Sequence, residues 1–217
     1  MTTFPGSPRL LKGGIVLVDP ASGAVQRIIT LQYNPDTLSR TLQPQGVAAE
    51  GGDRQEALRL KGPPIETIKL DAEIDATDQL ELGAPPATQL GIHPQLAALE
   101  TIVYPPSSQL QANNALAQAG TLEIAPMQAP LTLFIWSKSR ILPVRLTEFS
   151  ITEEAFDPAL NPIRAKVSLG MRVLNINDLG FAHKGGSLYM AYHQQKERLA
   201  AMSRGGPLSA LGIGEIR

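Results

Sequence analysis

The 217-residue chain contains no cysteine. That removes disulfide frameworks, thiolate metal sites and cysteine nucleophiles together, and it suits a reducing cytosol. Aromatic residues make up only 5% of the chain, which leaves little material for a stacking platform of the kind that binds carbohydrates. Charged residues are also scarce, at 18%. So little charge is low for a solvated monomer and points to a surface partly covered by subunit contacts. The 19 basic and 20 acidic residues are dispersed along the chain, so the clustered Lys and Arg of a nucleic-acid footprint are missing. Residues 1–12 hold no apolar run of signal-peptide length, and no stretch approaches the ~20 apolar residues of a membrane span. The expectation is cytoplasmic assembly without direct membrane insertion.

Chemistry-bearing motifs are missing too. There is no P-loop, no GxGxxG and no Gly-x-Ser-x-Gly elbow. His93, His183 and His193 lie in separate segments without ligand spacing. Asp71, Glu73 and Asp75 point the same way from one strand, but no fourth ligand is near them in sequence. The chain is therefore expected to be no enzyme and to use no metal or cofactor.

What is present is a core-forming composition, 43% hydrophobic, cut into short segments by 18 Pro and 19 Gly. Residues 14–19, 27–33 and 37–42 are β-rich runs between turn signals and suggest an antiparallel meander. Residues 65–75 alternate cleanly. Glu66, Ile68, Leu70, Ala72 and Ile74 share one face, and Thr67, Lys69, Asp71, Glu73 and Asp75 share the other. A helical turn is expected at 78–82 and a helix at 94–103, whereas 109–120 has no strong apolar stripe and is expected to be a loop. Residues 131–136 suit a strand buried on both faces. Between 144 and 156 the apolar parity shifts, which predicts a bulge near Thr147–Glu148. Residues 163–174 alternate again. A last helix is expected over 188–202, after a Gly185-Gly186 break, with Ser187 as its cap and Leu188, Tyr192, Leu199 and Met202 as its contacts.

Several of these segments, in this order, resemble the tube-type proteins of contractile injection systems. They are Tyr33-Asn34-Pro35, Pro130 to Trp136, Phe149, Phe156-Asp157, and Asn161-Pro162-Ile163-Arg164-Ala165. The nearest likeness is to the spike-to-tube adaptors of phage-tail-like particles, here without room for a LysM module. Where that family often has Gly before the Pro-x-Arg-Ala turn, this chain has Asn161, a residue that tolerates positive φ.

The resemblance implies a mainly β fold with flanking helices: an antiparallel β-sandwich or half-barrel whose copies close a ring barrel. Residues 1–176 would form this domain, with long loops at 45–61 and 106–125, and 177–217 a C-terminal helix and extended tail. It further implies a homo-hexamer at the baseplate end of the inner tube. Its partners would be the spike, the inner-tube or tube-initiator protein and other baseplate components, and nucleic acid would not be among them. A tube or tube-initiator subunit is the alternative, and a small-ligand or carbohydrate-binding β module the rival of another class. The lumen-facing candidates are Lys69, Asp71, Glu73, Arg164, Lys166 and Arg172. Arg54, Glu56, Arg59 and Lys61 are candidates for an inter-subunit arm. Trp136 is either a core residue at a strand end or an interface anchor.

Overall fold

Strand-forming runs dominate the computed structural model, which describes residues 11–46, 58–120, 129–203 and 205–216. The strands are β1 (Gly14–Val18), β2 (Val25–Thr30), β3 (Leu38–Gln43), β4 (Ile65–Asp75), β5 (Leu131–Ser137), β6 (Arg140–Phe156) and β7 (Pro162–Val173). The helices are α1 (Thr77–Glu81), α2 (Pro85–Leu90), α3 (His93–Glu100), α4 (Ser107–Gln118), α5 (Ile176–Leu179) and α6 (Lys184–Met202). All strands join one antiparallel seven-stranded sheet in the order β2-β1-β5-β6-β7-β4-β3. The mainly β, antiparallel fold with flanking helices is as expected; of the sandwich or half-barrel alternatives, the structure shows a single open sheet and not two packed sheets.

The sheet curls. Its main apolar cluster takes Ile15 and Leu17 from β1, Ile68 and Leu70 from β4, and Val167 and Leu169 from β7. The α3 side chains Leu96 and Leu99 join it. A smaller cluster on the opposite face, Val16, Val18, Leu131 and Leu133, lies under Leu179 and Leu188. This is why β1 and the start of β5 are buried on both faces and read as unbroken apolar runs.

Five expectations need correction. β3 does not continue a meander with β2; it pairs with β4 at the far margin of the sheet. The chain crosses because the Gln32 side chain bonds Asp75 at the end of β4. Residues 107–118 form helix α4, not a loop, although none of its side chains is buried. Gly185 and Gly186 lie inside α6, where His183, not Ser187, is the cap: its Nδ1 accepts from Gly185 N at 3.0 Å. The two glycines serve close packing, since a Cβ on Gly186 would sit 1.9 Å from the Gly180 carbonyl oxygen. Consequently α6 buries Tyr189 and Tyr192, while Leu199 and Met202 stay exposed.

The predicted bulge is present, with the β6–β7 register shifting between Leu146 and Glu148. In the β6–β7 turn, Asp157 accepts from Ala159 N, Asn161 N and Asn161 Nδ2, each at 2.8 Å. The residue with positive φ is Leu160, at 65°, and not Asn161. Trp136 stacks on Phe134 with ring centroids 5.9 Å apart and packs against the main core, in line with the core reading.

Candidate functional site

The wet face of β4 continues without interruption onto β7 and β6. Register sets Glu73 opposite Lys166, Asp75 opposite Arg164 and Thr67 opposite Arg172. On the other side of β7, Glu148, Thr152 and Glu154 stand opposite Gly170, Lys166 and Arg164. The lumen candidates Lys69, Asp71, Glu73, Arg164, Lys166 and Arg172 therefore share one face. Because residues two apart on a strand point the same way, a single parity brings all of them together.

Charges of opposite sign alternate across this face. Lys69 Nζ lies 2.7 Å from Glu148 Oε2, Arg164 Nε 2.8 Å from Asp75 Oδ2, and Lys166 Nζ 3.1 Å from Glu154 Oε1. The first pair spans β7 because Gly170 stands between the partners. A Cβ there would come 2.8 Å from Glu148 Cβ. Asp71 accepts from the Ser168 hydroxyl. Arg172 turns to the end of the sheet, where it meets Asp178 of the α5 capping box at 2.8 Å. Beside the stripe, Tyr33, Asp71, Glu73, Thr152 and Lys166 help line a polar cleft of about 690 Å³.

The electrostatics favour the charged forms of Asp75 and Lys69. Burial pushes the Asp75 carboxyl up, but bonds from Thr77 and Arg164 outweigh it and hold the group below the ordinary carboxylate value. The bond and charge of Glu148 raise the Lys69 ammonium. A general acid or base is tuned toward neutrality, and these shifts run the other way. What the face offers is an exposed surface of mixed sign. Among the described residues no cluster of His, Asp and Glu has the grouping of a metal site.

A second polar cluster lies on the dry face, where β3, β4 and α6 meet. Glu66 is 3% exposed. Its carboxylate takes Arg40 Nη2 at 2.6 Å, Lys196 Nζ at 3.0 Å and the Tyr192 hydroxyl at 3.2 Å. Lys196 also sits 4.1 Å from the Tyr192 ring centre. Desolvation pushes the Glu66 carboxyl up; the bonds from Lys196 and Arg40 win, and its pKa is lowered. The signal in the sequence was a Glu at a position of the alternation otherwise apolar.

The arm candidates Arg54 and Glu56 lie outside the described residues. Arg59 and Lys61 are exposed on the returning limb, where Lys61 N donates to Gln45 O at 2.7 Å and Leu60 bridges Gly46. The described ends of the arm, 45–46 and 58–61, thus prolong the β3–β4 hairpin. Among the described residues, the marginal strands β2 and β3 have one strand neighbour each. No helix among these residues is long and apolar enough to cross a membrane.

No protein-family model matches the chain, and no curated protein matches it. The geometry of the sheet therefore carries the functional reading.

Proposed function

We propose that the chain is a structural subunit of a contractile injection particle, forming a hexameric ring at the baseplate end of the inner tube and joining the central spike to the tube. The observation that carries this reading is the open sheet, whose marginal strands β2 and β3 each have a single neighbour. A free strand edge presents a row of N–H and C=O groups that readily pairs with another chain. Pairing β2 of one copy with β3 of the next is a heterologous contact, and repeating it closes a ring. The sheets of all copies then merge into one barrel.

The mixed-sign face of β4, β7 and β6 supports the same reading. Lining a channel, it keeps water at the wall, and its alternating charges leave no strong field of one sign to trap a passing cargo. The role is mechanical and calls for no catalytic step. The ring meets the spike on one side and the inner-tube or tube-initiator protein on the other, with further baseplate components around it, and it assembles in the cytoplasm.

Negative-stain microscopy and native mass measurement of the purified chain test the proposal. Closed rings are expected, and copy number in isolated particles separates an adaptor from a many-copy tube subunit. A chain that stays strictly monomeric at high concentration and never enters particles overturns it.

A further inference from the structure

The cleft beside the charged face has a floor built by strand register. One row across β4, β7 and β6 is Asp71, Ser168 and Ser150, and the next is Glu73, Lys166 and Thr152. All six line the cavity of about 690 Å³. The loop after β2 supplies its wall, with Tyr33, Asp36 and Thr37. A smaller cavity of about 360 Å³ shares Tyr33, Glu73 and Lys166 and runs on to Asp75, Glu154 and Arg164. The two form one elongated cleft, and Tyr33 stands where they meet.

The wall is fixed before any ligand arrives. Gln32 and Asn34, on either side of Tyr33, each make two bonds to backbone groups elsewhere in the chain. A site already held in its binding shape avoids the cost of ordering it. Tyr33 itself is 47% exposed, so an aromatic surface borders an otherwise polar cleft.

The lining restricts what can bind. Most small-molecule sites are apolar with a few polar groups. Here carboxylates, hydroxyls and an ammonium predominate, so the ligand must be as densely polar as the cleft. Lys166 and Arg164 are already paired with Glu154 and Asp75. Asp36, Glu73, Ser150 and Thr152 make no side-chain ion pair or hydrogen bond among the described residues. An anion would therefore meet carboxylates and no unpaired cation. A simple cation would leave the hydroxyl rows idle. A neutral polyol uses everything present, since a carboxylate accepts from neighbouring hydroxyls and Ser or Thr can donate or accept. The C–H face of a sugar ring also suits the apolar face of a tyrosine.

We propose that this cleft binds a neutral oligosaccharide, one sugar ring stacked on Tyr33 and its hydroxyls held by Asp36, Glu73, Ser150 and Thr152. Aromatics at 5% of the chain cannot build an extended platform, but one ring needs only one tyrosine. The site lies within a single copy and does not rest on ring formation.

Isothermal titration of the full-length chain tests the proposal with maltotetraose, cellotetraose and chitotetraose, and with tetragalacturonate and spermidine as charged counterparts. At least one neutral sugar is expected to bind saturably, and at least about tenfold more tightly than either charged probe. Tyr33→Ala should weaken that binding about tenfold and Tyr33→Phe much less, because the ring carries the contact. Glu73→Gln should weaken it about fivefold, whereas Glu81→Gln, on α1, should leave it unchanged. All these positions are exposed, so thermal midpoints are expected to match the wild type. Failure of all three neutral sugars to bind overturns the proposal. So does equal binding of tetragalacturonate or spermidine, or a Tyr33→Ala affinity equal to that of the wild type. Rings without sugar binding remove this site alone; sugar binding by a chain that stays monomeric keeps the site and removes the ring.

Discussion

Gln32 holds the two sides of the curled sheet together by binding the backbone of Asp75 twice. Its Nε2 donates to Asp75 O at 2.6 Å, and its Oε1 accepts from Asp75 N at 2.9 Å. Two residues on, Asn34 Oδ1 accepts from Gly13 N at 2.9 Å and Asn34 Nδ2 donates to Leu11 O at 2.7 Å. Each carboxamide acts as a strand would, at a place where no strand runs. Gln32→Leu removes both bonds and leaves part-buried backbone groups unpaired, at a cost of about 1–3 kcal/mol. Urea denaturation checks this, with a lower midpoint and an unchanged slope expected.

Glu66 neutralises two cations at the junction of sheet and α6. Replacing it by Gln strands Arg40 and Lys196 beside a core, and both are partly solvated, so the expected loss is about 2–4 kcal/mol. The pH dependence follows from the lowered pKa. A carboxyl whose folded pKa is depressed adds stability above its ordinary value of 4.5, and that stability is lost as pH falls through the lower folded value. Stability curves of wild type and Glu66→Gln should therefore run a constant distance apart above pH 4.5 and converge as the pH falls below it. A gap that stays the same on both sides of pH 4.5 would falsify the assignment.

The strands were legible because one physical rule, period-two alternation, governs both sheet faces. The alternation of β4 and β7 alone places Lys69, Asp71, Glu73, Arg164, Lys166 and Arg172 on one face. The partner of β3 was not legible. A meander treats neighbours in sequence as neighbours in space, and here two side-chain amides at Gln32 and Asn34 redirect the chain. The α6 start was missed because Gly185-Gly186 has the composition of a helix break, and only the nearness of Gly180 and Leu179 reveals two glycines kept for close approach. Glu66 escaped notice because its cationic partners come from β3 and α6, remote in sequence.

Gly186 tests that packing directly. A Cβ at this position collides with the Gly180 carbonyl, which belongs to the backbone and cannot swing aside. Gly186→Ala should push the first turn of α6 away from the Gly180–Phe181 backbone and cost about 1–3 kcal/mol, as overpacked cores do. Gly205→Ala, with open space around it, should leave the thermal midpoint nearly unchanged.

Leu160 is the opposite case. It is 76% exposed, so its side chain contributes little packing, yet its φ of 65° is one that a branched residue adopts only under strain. The bonds from Asp157 hold the turn in place around it. Leu160→Gly should raise stability by up to about 1 kcal/mol, the relief of a left-handed conformation less the added freedom of the unfolded glycine. A fall in the unfolding midpoint would show that Leu160 is held there by packing after all.

Edge pairing is tested best on β2. Ile28 stands opposite Val16 and is 64% exposed, so it contributes to the margin and little to the core. Lysine on a marginal strand is a common natural guard against strand addition, because pairing would desolvate its ammonium. Ile28→Lys should therefore leave the monomer within about 0.5 kcal/mol of wild type, as exposed substitutions usually do. The same change should abolish rings at concentrations where wild type and Ile28→Val both form them. Sedimentation velocity reads both states in one experiment. If Ile28→Lys assembles as well as the wild type, β2 is not a seam between copies, and the edge from which the ring was argued has no role in it.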